Sequence, residues 1–205
     1  MSHFVGIFFG PTDNIEEVLD KYYEGREVPS YIDKTKDEVK KMVDDEIAAY
    51  FKYVEDNANN TNSYIQKRVE DIQDKLKIYD YFNTEEAKAR LAETMFELDA
   101  NGNSLSTYNP DSKWDWWIIG GRWSCEMLKT KEGEETNQDI KGNLSVIETP
   151  LCFIDLNGEW IERGEMGWFG TISNEMDIHK WEDVFKSYLD SVPDDTLLTV
   201  IDFHI

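Results

Sequence analysis

The two ends of the chain constrain its fold most, because each is an apolar segment of strand type. Residues 3–9 (HFVGIFF) are aromatic and β-branched, and residues 196–205 (TLLTVIDFHI) have the same character. Such segments predict buried strands. A third apolar region, 150–163, is divided by Asn157-Gly158, which is the strongest short signal for a hairpin. The sequence therefore predicts strands at both ends of the chain and a hairpin between them.

The middle of the chain is polar and helical. Thr35 and Glu38 form the spacing of a capping box. Two apolar seams with helical spacing follow: Val39, Val43, Ile47, Tyr50 and Val54, then Ile65, Val69, Ile72, Leu76 and Tyr79. Because an Asn-rich stretch separates the seams, we predict an antiparallel helical hairpin. A third helix is predicted to begin near Asn83 and to turn Leu91, Met95 and Leu98 inward.

These elements define an α+β fold for residues 1–205 as a single domain. Its antiparallel or mixed sheet is built from the N-terminal strand, the 150–163 hairpin and the C-terminal strand, with helices on one face. Residues 35–100 are expected to form a helical insertion. Residues 126–148 are rich in polar residues and are expected to form a mobile loop.

The chain is strongly acidic. It has 43 acidic and 21 basic residues, a formal charge of −22, and both halves share the excess. Such a surface repels phosphate backbones, so direct nucleic-acid binding is not expected. It attracts basic surfaces, so a protein with a basic surface is the expected partner, although solubility alone also explains the charge.

The sequence carries no targeting or membrane signal. Cys125 and Cys152 lack the spacing of a metal or redox motif. The N-terminus lacks the pattern of a signal peptide. No apolar run approaches the roughly 18 residues that a membrane span needs. We expect a cytoplasmic protein with no membrane association, no metal and no cofactor.

One segment contains several residue types that commonly bind ligands. Residues 106–124 (STYNPDSKWDWWIIGGRWS) hold four of the seven tryptophans. Indoles stack on bases, sugars or cations, glycines admit close approach to the backbone, and a guanidinium pairs with phosphate or carboxylate. The candidate binding residues are Trp114, Trp116, Trp117, Gly120, Gly121, Arg122 and Trp123. Alternatively the segment is a core strand, with Trp114 and Trp116 on one side and Trp117 on the other.

A second arginine could extend this site. Arg163 lies in ERGEMGWFG beside Trp168, and both are candidate binding residues that could join Arg122. Because Glu162 and Glu165 flank Arg163, local ion pairing is the alternative explanation.

The C-terminal strand contains the candidate catalytic pair. Asp202 and His204 are two residues apart, so both face the same side as Val200. A carboxylate beside an imidazole can orient it as a base, or both can bind a metal, for which His3 is a possible partner if the terminal strands are neighbours. Alternatively, a strand end simply presents two polar residues to solvent.

The helical hairpin offers a third kind of surface. Its acidic residues, Asp44, Asp45, Glu46, Glu55 and Asp56, could occupy a basic groove made for nucleic acid. A solvated helix face explains them equally well.

Several segments resemble a family of uncharacterised proteins found in bacteriophage and prophage genomes. They are the MSHF start, EVPSYIDKTKDE, LSTYNPDSKWDWWIIGGRWS, GEWIERGEMGWFG and VPDDTLLTVIDFHI. The resemblance covers both ends of the chain but not the helical middle or residues 126–148. It implies a phage origin and no particular chemistry. Two positions differ from the family pattern: Phe203 stands where Cys is usual, and Cys125 where Gly is usual.

Two functions follow as hypotheses. The first is a phage accessory protein that binds and inhibits a host defence protein through an acidic surface and a Trp/Arg anchor. The second is a nucleotide- or phosphate-binding protein or hydrolase that uses Arg122, Asp202 and His204, and a virion component is a third, weaker possibility. The sequence contains no P-loop, GxSxG, HExxH or paired CxxC motif.

Overall fold

A computed structural model of the chain describes residues 2–78, 84–166 and 171–205, without the side chains of 75–78 and 166. The helices are α1 (Ile15–Asp20), α2 (Lys36–Asn57), α3 (Ser63–Ile78), α4 (Glu85–Met95) and α5 (Ile178–Ser191). The strands are β1 (His3–Phe9), β2 (Tyr31–Lys34), β3 (Glu97–Leu98), β4 (Ser104–Ser106), β5 (Trp116–Ile119), β6 (Leu128–Thr130), β7 (Glu135–Thr136), β8 (Gln138–Ile140), β9 (Leu144–Ile147), β10 (Cys152–Ile154), β11 (Trp160–Glu162), β12 (Glu165–Met166), β13 (Ile172–Ser173) and β14 (Leu197–His204). The α+β class is confirmed.

The chain forms two compact units where we had expected one domain. Unit 1 comprises residues 1–27 and 108–205, and unit 2 comprises residues 28–107. The insertion is therefore longer than the predicted 35–100, because the strands β2, β3 and β4 that flank its helices form a sheet of their own.

A mixed sheet forms the centre of unit 1. Its strand order is β11-β10-β1-β14-β5, and β8 pairs with the first half of β14. β1 and β14 are antiparallel from His3↔His204 to Phe9↔Leu198. β1 and β10 are parallel. The predicted pairing of the N-terminal strand, the hairpin and the C-terminal strand in one sheet is confirmed.

Both faces of this sheet are covered, so the expectation of helices on one face is wrong. β1 is apolar at every position except His3 and Gly6. Its odd-numbered residues Ile7 and Phe9 join a core with α5, whereas its even-numbered residues Phe4 and Phe8 join a core with α1. Because alternate side chains of a strand point to opposite faces, a strand that is apolar at both parities needs cover on both sides.

The predicted hairpin is formed by β10 and β11, which are antiparallel. The loop is longer than a two-residue turn, because Asp155 organises it: its carboxylate accepts hydrogen bonds from the Asn157 and Glu159 amides at 2.8 and 2.9 Å. Gly158 adopts a φ of +79°, which few other residues tolerate.

Residues 126–148 are not one irregular loop. β6 lies between β7 and β9 in a three-stranded sheet, and β8 joins the central sheet. Leu128 and Leu144 are buried in the core beside α5. The region looked like a loop because most of its charged residues lie in the turns between short strands, and the strands themselves contain few apolar residues.

Unit 2 contains the predicted helices. The capping box is present: the Thr35 hydroxyl accepts from the Glu38 amide, and the Glu38 carboxylate accepts from the Thr35 amide. The Thr35 hydroxyl also donates to the Glu38 carboxylate at 2.7 Å, and this bond, together with that from the Thr35 amide, lowers the pKa of Glu38. The Arg68 guanidinium lies 5.1 Å from the Tyr53 ring centre, which joins α2 to α3.

The structure shows part of each predicted apolar seam. Val39 and Val43 are buried in α2, as are Val69 and Ile72 in α3. The third helix begins after the N-cap Thr84 and buries Leu91. The Leu76 side chain, Tyr79 and Asn83 lie outside the described residues. Among the helices that the structure describes, none is both long and apolar enough to cross a membrane.

The core beside α5 gives a stability prediction. Phe185 is buried against Phe153, with ring centres 5.7 Å apart. We expect Phe185→Ala to lower the free energy of unfolding of unit 1 by about 3–5 kcal/mol, because it removes a buried ring and leaves a cavity. Tryptophan fluorescence during urea unfolding reports this unit alone, since all seven tryptophans lie within it.

The matched control is the neighbouring exposed residue Val184. Val184→Ala should change the free energy of unfolding by no more than about 0.5 kcal/mol. Equal effects of the two substitutions would contradict the assignment of this face of α5 to the core.

Candidate functional site

The pairing of β14 with both neighbouring strands gathers polar side chains at one end of the sheet. His3 pairs directly with His204, and His204 pairs with Trp116. Directly paired residues place their side chains on the same face. The two imidazole centres are 4.9 Å apart, and Trp116 lies 5.6 Å from His3 and 5.8 Å from His204.

Each imidazole is held by its own carboxylate. His3 Nδ1 lies 2.9 Å from Asp202 Oδ1, and His204 Nδ1 lies 2.5 Å from Asp115 Oδ1. An ionised carboxylate only accepts hydrogen bonds, so each Nδ1 carries the proton that it donates. We call these four residues and Trp116 the histidine–aspartate cluster.

The candidate catalytic pair therefore differs from the expected one. Asp202 and His204 do share a face with Val200, but Asp202 orients His3 and not His204. The partner of His204 is Asp115, which immediately precedes β5. Neither residue of the pair is a solvated strand end, because both are buried.

Asp202 is 1% exposed, so its charge needs partners inside the protein. Its second oxygen, Oδ2, accepts a hydrogen bond from the Arg122 amide at 2.9 Å. That approach requires Gly121, which has a φ of +52° and whose added Cβ would lie 2.3 Å from Oδ2. Gly121 thus admits a carboxylate of the protein itself, where the sequence had indicated a ligand.

Gly120 has a similar role. An added Cβ would lie 2.6 Å from Asn137 Nδ2, and the φ of Gly120 is +74°. Asn137 accepts at Oδ1 from the Cys125 amide at 2.6 Å, and its carbonyl accepts from the Val200 amide. Cys125 has a φ of +63°, a conformation that favours glycine.

The four tryptophans of the segment do not share one surface. Trp114 is buried and stacks on Tyr23 at 4.9 Å. Trp117 packs in the core beside α1, and Trp123 packs against the core beside α5. Trp116 is 46% exposed. The expected common side of Trp114 and Trp116 is wrong, because β5 begins only at Trp116 and the strand period does not extend back to Trp114.

The two arginines do not form one pocket. Arg122 is exposed, and within the described ranges its guanidinium has no ion pair. Arg163 pairs with Glu175 at 3.0 Å and donates from Nε to the Met176 carbonyl, so it fastens the 163–176 segment. The arginines follow β5 and β11, which are separated by four strand spacings, roughly 19 Å. Trp168 lies outside the described residues.

The other features that could bind a ligand or react lie outside the histidine–aspartate cluster. A cleft of about 690 Å³ lies in unit 2 between α2, α4 and residues 96–102, and no predicted site residue lines it. In the described part of the chain, no group of three or more His, Cys, Asp or Glu residues is placed to hold a metal. Burial raises the pKa of the Cys152 thiol well above its ordinary value, so it is not a nucleophile at neutral pH.

Comparisons with known proteins find no match: no family model fits the chain, and no curated protein or solved structure is significantly similar to it.

The close approach of Gly121 and Asp202 gives a second prediction. We expect Gly121→Ala to destabilise unit 1 by more than the roughly 1–2 kcal/mol of a left-handed backbone, because its Cβ also displaces the Asp202 carboxylate. Urea unfolding followed by tryptophan fluorescence measures the effect.

Gly133 supplies the control, since its φ is +91° but the nearest atom to an added Cβ is 3.9 Å away. Gly133→Ala should show the backbone effect alone. If Gly121→Ala is no more destabilising than Gly133→Ala, the carboxylate does not depend on this glycine.

Proposed function

We propose that the protein acts by binding another protein along the open edge of β5. β5 pairs with β14 on one side, and no strand of the described residues pairs with its other side. Trp116, Ile118 and Ile119 are 46, 50 and 41% exposed. Proteins usually shield an apolar edge strand, because it is a template for pairing with another chain. An edge left open in this way supports a binding role.

The backbone of β5 has donors and acceptors available for such a partner. The Gly120 amide donates to the Val200 carbonyl, so Gly120 and every second residue before it face β14. The peptide groups of Trp117 and Ile119 therefore point outward. An extended segment that pairs with them adds one strand to the sheet, and Ile118 and Trp116 supply apolar contacts beside it.

Charge favours a basic partner. Unit 1 carries 26 acidic and 10 basic residues, a formal charge of −16 out of −22. Asp115 adjoins the edge and is partly exposed. A second copy of this chain would bring the same negative charge to the edge, so electrostatics oppose self-pairing and attract a basic surface.

The resemblance to phage and prophage proteins makes a host protein the expected partner. In this proposal the chain is an accessory protein of the host cytoplasm that inhibits a defence protein by occupying its basic surface. The acidic hairpin is a weaker candidate for the contact, because Asp44 and Asp56 are paired with Lys88 and Lys52. Of the five acids named for this surface, Asp45, Glu55 and Asp56 are exposed.

The edge can be tested with two substitutions at one position. Ile119→Pro removes the outward amide, and a proline is tolerated where an edge amide faces solvent. Ile119→Val keeps that amide and is the control. We expect immobilised wild-type protein to retain a host protein from lysate at ~100 mM salt and to release most of it at ~500 mM, because screening weakens charge attraction.

The retained protein is then identified by mass spectrometry and purified. Its Kd should rise at least about tenfold for Ile119→Pro and stay within about twofold for Ile119→Val. A folded Ile119→Pro variant that binds like the wild type rules out the edge. Recovery of no host protein at either salt concentration argues against the binding function as a whole.

Size-exclusion chromatography of the purified protein tests the alternative that the protein is a virion component, because such a component should form an assembly.

Binding or hydrolysis of a small phosphorylated ligand is the second candidate function, and the two imidazoles of the histidine–aspartate cluster favour it.

A further inference from the structure

The two imidazoles of the histidine–aspartate cluster each keep one nitrogen free. The Nδ1 atoms are bonded to Asp202 and Asp115. Among the described residues, neither Nε2 atom has a hydrogen-bond partner. Neither of these atoms is fully buried, so both are accessible to solvent. The cluster therefore contains two oriented imidazoles, edge-to-face at 77°, and each has one accessible nitrogen.

This arrangement suits acid–base chemistry. With Nδ1–H held by a carboxylate, a neutral imidazole offers the Nε2 lone pair as a base, and an imidazolium offers Nε2–H as an acid. The carboxylates also stabilise the positive charge that forms on each ring during a proton transfer. The ring centres are 4.9 Å apart, which places both imidazoles within reach of one small group.

The surroundings indicate what that group is. Trp116 offers an exposed indole face beside both rings. Arg122 has an exposed guanidinium without an ion pair in the described ranges, and its amide bonds to the same carboxylate that holds His3. An aromatic face and a guanidinium next to an acid–base pair match a nucleobase joined to a phosphate.

We propose that the histidine–aspartate cluster hydrolyses a small nucleotide phosphodiester. His3 and His204 are the catalytic residues, Asp202 and Asp115 position them, Trp116 stacks on the base and Arg122 binds a phosphate oxygen. The substrate is small, because the charge of −22 repels a long nucleic acid. The cluster shares Trp116 with the proposed binding edge of β5, whereas the Ile119→Pro test of that edge changes no residue of the cluster.

The reaction uses one water molecule and no redox partner. The neutral imidazole takes a proton from water at Nε2 while the water oxygen forms a bond to phosphorus. The bond from phosphorus to the leaving oxygen breaks, and the imidazolium gives its Nε2 proton to that oxygen. The products are a phosphate monoester and an alcohol, and proton exchange with solvent restores the two rings.

The direct test of binding uses the fact that the chain has three histidines. Thymidine 5′-monophosphate, a product of the proposed reaction, is added while imidazole resonances are followed by NMR, against sodium chloride at equal ionic strength. The signals of His3 and His204 should shift saturably. His179, which is exposed on α5 and paired with Glu182, should not.

The test of catalysis uses the p-nitrophenyl and methyl esters of thymidine 5′-monophosphate. We expect His3→Gln and His204→Gln to lower kcat by roughly 10²–10⁴-fold, and His179→Gln to leave it unchanged. Of these two variants, the one that lacks the general acid should lose more activity on the methyl ester, because the leaving group of that ester needs a proton. Arg122→Ala, an exposed substitution that preserves the fold, should raise KM with little change in kcat.

Asp115→Asn tests the positioning role through kcat and KM. An amide can accept from Nδ1 or donate to it, so it no longer fixes the tautomer of His204. We expect kcat to fall with little change in KM, and Asp115→Glu to retain more of the activity. The proposal fails if the wild type does not hydrolyse either ester, if it binds the nucleotide without turnover, or if folded His3→Gln and His204→Gln variants retain the activity.

Discussion

The antiparallel pairing of β1 with β14 is the interaction on which the rest of unit 1 depends. It joins the two ends of the described chain through seven residue pairs and places β14 in the middle of the sheet. Both strands are apolar on both faces over most of their length, so they require the α1 core on one side and the α5 core on the other. At its open end the same pairing brings His3 against His204, where the apolar pattern gives way to polar residues.

Asp202 links this core to the segment that contains the tryptophans. A buried carboxylate costs several kcal/mol unless it is bonded, and Asp202 satisfies one oxygen with His3 and the other with the Arg122 amide. The turn after β5 is folded around that second bond. The conformation of Gly121 and the orientation of His3 are therefore both tied to one side chain.

Periodicity predicted the elements that depend on local sequence, and it failed where contacts are distant. The terminal strands, the 150–163 hairpin and the capping box at Thr35 follow from spacing and turn residues. The strands within 126–148 do not, because their apolar residues are few and are buried by residues distant in sequence, from the central sheet and α5. For the site, the shared face of Asp202 and His204 was predictable, and His3 was a conditional partner. Asp115 was not predictable, since only the register between β5 and β14 brings it to His204.

The fit between Gly121 and Asp202 also constrains how this chain can diverge. A side chain at position 121 and a carboxylate at position 202 exclude each other, since the space for one is occupied by the other. Natural variants should therefore change the two positions together or neither. Among related chains, that pair of positions separates those that keep the imidazole-binding carboxylate from those that retain only the scaffold.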